Sequence, residues 1–77
     1  MASASNISLR IWRKFLESKG LKHIRDNGGH EIWSRADLPR PVVFQSHIEP
    51  IPPFVVSNNL KIIGASKAEL MSFVKEK

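Results

Sequence analysis

The sequence predicts one small α+β domain over residues 1–77, a three-stranded antiparallel sheet packed by helices. Three observations predict it. Apolar residues recur at helical spacing near both ends of the chain. Asn27-Gly28 lies between two half-polar runs, as in a tight β-hairpin, because a type I′ turn needs φ > 0 at both central residues. Val42 to about Ser46 is rich in β-branched and aromatic residues and follows Pro39 and Pro41, which forbid continuous pairing in the connection before it.

Residues 1–6 are small and polar and are expected to be frayed. Ser5, Asn6 or Ser8 can cap a first helix that runs to about Lys19. Leu9, Trp12, Phe15 and Leu16 form its apolar stripe, with Ile11 beside it. Gly20 supplies the left-handed residue that ends it, and Leu21 the accompanying apolar contact. The hairpin follows. With a loop of Asn27 and Gly28, Asp26 faces Gly29 and Arg25 faces His30, side by side at one end of the sheet. Leu21, His23, Arg25, His30, Ile32 and Ser34 share one face; Lys22, Ile24, Asp26, Glu31, Trp33 and Arg35 share the other. Neither set is cleanly apolar, so both orientations toward the helices stay open.

The prolines of Ile48-Glu49-Pro50-Ile51-Pro52-Pro53 exclude a central strand and lead into a helix over about Pro53–Ile63. Phe54, Val56, Leu60 and Ile63 are its expected buried side, and Gly64 its end. Ser66-Lys67-Ala68-Glu69 is a capping box opening a short last helix, whose Leu70, Phe73 and Val74 dock on the core. The order α-β-β-β-α plus a terminal helix resembles a double-stranded-RNA-binding domain in outline.

A chain this short buries only about 60–65% of its unfolded surface. It has no cysteine, which removes disulfides and thiol chemistry. No basic leader with an apolar core opens it, and no apolar run approaches the ~20 residues of a membrane helix; a cytoplasmic protein is the simplest reading. The net charge is +5 and the pI about 10.1. Residues 1–35 hold seven Lys/Arg against three Asp/Glu, and residues 36–77 five against four. The basic excess accompanies the hairpin, which suits a polyanion such as RNA.

An imidazole titrates near neutrality and can move the protons that RNA cleavage requires. His30, with Arg25 as a planar fork for phosphate oxygens, is therefore the candidate catalytic centre. The bare backbone of Gly28 and Gly29 lets a strand approach closely. His47 ends the third strand and is a second acid–base candidate if that strand pairs with the second. Trp33 is either core or a base-stacking residue. Lys22, Arg35 and Arg40 are phosphate-contact candidates, and His23 is read as structural. The histidines and acids show no ligand spacing, so no metal or other cofactor is expected.

The Gly20-Leu21 helix end, Arg25-x-x-Gly28-Gly29-His30-x-Ile32-Trp33, the Val-rich strand ending near His47 and Leu60-Lys61-Ile62-Ile63-Gly64-Ala65-Ser66 resemble the HicA (YcfA-like) toxins of bacterial toxin–antitoxin systems. The resemblance spans about Ser8–Phe73. It implies a small mRNA-cleaving endoribonuclease, monomeric when free, with one catalytic histidine, here His30, and neutralised by a HicB-type antitoxin. The family often has Ser or Thr at the position of Gly29 and a second His at that of Glu31. A non-catalytic RNA-binding module, or degenerate toxin, of the same fold is the alternative. A domain whose basic face docks an acidic protein is a third reading.

Overall fold

The computed structural model describes residues 7–75; the expectation for residues 1–6 lies outside them. In chain order the elements are α1 (Leu9–Ser18), β1 (Lys22–Asn27), β2 (His30–Ser34), β3 (Val42–Gln45), α2 (Pro53–Ile63) and α3 (Lys67–Lys75). The strands form one antiparallel sheet in the order β1-β2-β3.

The helix ends follow from local chemistry. The Ser8 hydroxyl accepts from Ile11 N at 3.2 Å, and the Glu49 carboxylate, forty residues on, accepts from Leu9 N at 2.6 Å. Two orphan amides of the first turn are thereby satisfied from two distant parts of the chain. The reciprocal capping box of α3 is formed: Ser66 N donates to Glu69 Oε1 at 2.9 Å, and Glu69 N to Ser66 Oγ at 3.1 Å. Lys19 reaches Glu69 at 2.5 Å and ties the end of α1 to α3.

The expected stripe of α1 is buried, with Trp12 and Leu16 fully inaccessible. Trp12 meets Phe44 of β3 edge-on at 6.2 Å, and Phe15 meets Phe73 of α3 at 5.5 Å. Val56, Leu60 and Ile63 of α2 close the core as expected. Phe54 does not; it is 68% exposed, while Asn59 is buried in its place. Asn59 lies three residues from Val56 and four from Ile63, on the buried side of α2. Its Nδ2 donates to the Val43 carbonyl at 3.1 Å, so α2 packs along β3 through a polar contact. Asn59→Ala strands that carbonyl and should cost about 1–3 kcal/mol, read as a lower denaturation midpoint.

The hairpin turn lies one residue later than expected, which shifts the pairing by two residues. The central pair of the turn is Gly28-Gly29, with φ of +60° and +86°; Asn27 belongs to β1 and faces His30. Two glycines take positive φ without the Cβ penalty that Asn27 meets there, so the Gly-Gly loop is the less strained choice. Arg25 consequently faces Ile32, not His30. An irregularity at Ile24 puts His23 opposite Trp33 and Lys22 opposite Ser34.

Burial decides the face that the sequence left open. Glu31 and Trp33 on β2, with Val42 and Phe44 on β3, point into the core; His30, Ile32 and Ser34 are only half-buried. Glu31 stays ionised inside because Arg13 of α1 grips both its oxygens and Trp33 Nε1 donates to it at 3.0 Å. Burial pushes the Glu31 carboxyl up, but the Arg13 fork and the indole N–H outweigh it and hold it below the usual glutamate range.

Candidate active site

Two loops meet beside the first residue of β2. The Gly29 carbonyl accepts from Ser46 N at 2.8 Å and from Ser46 Oγ at 2.9 Å. This double contact pins the turn after β3 to the hairpin. The exposed imidazole of His47 then rests on the bare Gly29 backbone: a Cβ there would lie 3.5 Å from its Cε1 and 3.7 Å from its Nδ1. With φ of +86°, the position also disfavours any side chain. Gly29 thus makes both the turn and the seat for His47. Adjacent Cα atoms are about 3.8 Å apart, so the edge of the His47 ring lies within about 9 Å of the His30 Cα.

His30 is half-buried on the sheet face away from α1, opposite Asn27 on one side and Gln45 on the other. Arg25 is on the same face, diagonal to His30 rather than opposite it; such neighbours are about 7–8 Å apart, within reach of a long side chain. Arg25 is exposed and makes no side-chain hydrogen bond or ion pair among the described residues. By the register, the strand positions of this open face are Lys22, Arg25, Asn27, His30, Ile32, Ser34, Val43 and Gln45, and none is a carboxylate. Glu31, next to His30 in sequence, is turned to the opposite face and neutralised. A phosphate near His30 therefore meets positive charge and no adjacent acid on this face.

The remaining predicted contacts are not gathered there. Lys22 shares the open face but lies opposite Ser34, four residues along β2, or about 13 Å away. Trp33 is 4% exposed, bonded to Glu31 and stacked by His23 at 5.2 Å, so it offers no free face to a base. Arg35 is engaged by Asp37, at 2.6 Å, and by the Lys19 carbonyl. Arg40 is exposed but precedes β3, about 17 Å along the strand from Gln45. His23, read as structural, stacks on Trp33 and lies 2.9 Å from Asp26.

Gln45 beside His30 was not singled out from the sequence, because its place depends on the β2–β3 register. Among the described residues no three His, Asp or Glu side chains are grouped as metal ligands, and no helix is long and apolar enough to cross a membrane. No protein-family model, curated protein or solved structure matches the chain.

Proposed function

We propose that this chain is a HicA-like toxin, a ribonuclease that cuts mRNA on the open face of a double-stranded-RNA-binding-like fold in the cytoplasm. The observation that supports this reading most is the group formed by His30, Arg25 and His47 around a bare glycine turn, on a face without carboxylates. RNA carries its own nucleophile. His30 takes the proton of the ribose 2′-hydroxyl as that oxygen attacks phosphorus. The P–O5′ bond breaks, and the His47 imidazolium gives its proton to the leaving 5′-oxygen. Arg25 balances the charge that builds on the non-bridging oxygens. The products are a 2′,3′-cyclic phosphate and a 5′-hydroxyl. Solvent then restores both imidazoles, and no step requires a metal. An acidic HicB-type antitoxin would silence the enzyme by covering the same basic face.

Purified chain, incubated with single-stranded RNA and excess chelator, is expected to leave 2′,3′-cyclic phosphate ends. A 2′-deoxy sugar at the cut position should block cleavage there. Intact RNA at all protein concentrations, with binding that weakens as salt rises, would replace the nuclease by a non-catalytic RNA-binding module.

A further inference from the structure

Phe54 opens α2 with its ring 68% exposed, and Ile48 nearby is 37% exposed. Large apolar groups left together on the surface of a small domain commonly mark a binding site. These two line a cleft of about 150 Å³ between the end of β3 and the first turn of α2, floored by Ile51 and Phe44. That is about the volume of five liquid waters, room for one planar heterocycle and too little for a helix. The lining also includes Gln45, the direct cross-strand partner of His30. Partners across an antiparallel ladder have Cα atoms about 4.5–5.5 Å apart, so the cleft adjoins the candidate active site.

We infer that this cleft is a nucleobase subsite, taking one unpaired base of the RNA whose phosphodiester lies at His30. Phe54 supplies a π-face, on which any base can stack. Gln45 supplies an amide with both donor and acceptor, the group needed to read a base edge and of little use to a purely apolar partner. Gln45, the polar residue of the lining, pairs with His30 across the ladder, and the chain's +5 charge favours a polyanion over a neutral ligand. The inference rests on the ribonuclease reading and adds the origin of its base preference.

The test measures binding of a short 2′-O-methyl oligoribonucleotide, which cannot be cleaved, and separately maps cut sites in random-sequence RNA. Phe54→Ala is expected to weaken binding about 5- to 100-fold, and Phe54→Trp to retain it. A single abasic position should weaken wild-type binding by a similar factor and leave Phe54→Ala unaffected. Gln45→Ala should still cut but lose base preference at one position beside the scissile bond. Because Phe54 is exposed, its truncation should leave the thermal midpoint near wild type. Unchanged binding by Phe54→Ala, with cut sites unchanged in Gln45→Ala, would overturn the subsite even if RNA is cleaved. Loss of self-association with RNA binding intact would also overturn it, assigning the patch to a second copy. Binding coupled to Phe54 without any cleavage would sustain the subsite and remove the nuclease.

Discussion

His30→Ala is expected to lower RNA cleavage by about 10²–10⁴-fold, the usual contribution of one positioned proton-transfer group. Its thermal midpoint should stay near that of the wild type, because His30 is half-buried on the face away from the core. In cells, expression of the wild-type chain without an antitoxin should halt growth, and the variant should not. Equal toxicity of the two would remove His30 from the chemistry. The roles of the two imidazoles separate on a substrate with a different leaving group. A ribonucleoside 3′-(4-nitrophenyl) phosphate releases an anion that needs no proton. His47→Ala should cost 10²-fold or more on RNA and little on this ester, whereas His30→Ala should cripple both. The wild-type pH profile on RNA should be bell-shaped, with one limb missing in His47→Ala. Equal losses on both substrates would deny His47 the acid's part while leaving His30 in place.

The second large effect concerns stability. Arg13→Ala leaves the Glu31 carboxylate buried without its cation. Removing one partner of a buried pair typically costs 3–5 kcal/mol. The Arg13 side chain is 37% exposed, so solvent screens part of this and about 2–3 kcal/mol is expected. For a domain of this size that is a fall in Tm of about 10–20 °C. Replacing Arg13 and Glu31 together by Met and Gln should recover most of it, since no charge is then stranded and the amide oxygen still accepts from Trp33 Nε1.

The pH dependence has a definite sign. Glu31 has a depressed pKa in the folded chain, so it binds protons more readily when unfolded. Its contribution is complete above the unfolded glutamate pKa of about 4.3 and declines as pH falls below that toward the folded value. Asp37, held down by its hydrogen bonds from Arg35, and Glu69, held down by Lys19, act in the same direction. Melts at pH 7 and pH 3 should therefore differ, and Glu31→Gln should reduce the difference without abolishing it. An unaltered pH response in Glu31→Gln would show that the buried pair is not its source.

Much of the fold can be read from local pattern because local chemistry sets it. The α1 stripe, the Ser66–Glu69 box and the order of elements all depend on residues within a few positions of one another. Register is less legible. Asn27-Gly28 and Gly28-Gly29 are both acceptable turn centres, and only backbone strain and pairing with β3 choose between them. The irregularity at Ile24 has no sequence mark, yet it sends His23 onto Trp33. Phe54 looks like core by its size, but it lies about 200° of helical turn from Val56, opposite the buried stripe of Val56, Asn59, Leu60 and Ile63, and so stays exposed. Glu31 looks like a surface residue until Arg13, eighteen positions earlier, is brought against it. At the candidate site, His30, Gly28, Gly29 and His47 can be found from the turn and the strand order. The diagonal position of Arg25 and the adjacency of Gln45 come only from pairing.

Alternation along β2 has a consequence for how the chain tolerates insertions and deletions. Neighbouring positions there hold the His30 imidazole and the Glu31 acid that locks the interior, on opposite sides of one thin layer. A slip of a single position exchanges them, burying an imidazole and presenting a carboxylate on the face proposed for the RNA phosphate. Loop length between the first two strands is therefore an all-or-nothing variable: the hairpin that keeps the interior closed is also the one that leaves the outer surface able to receive an anion.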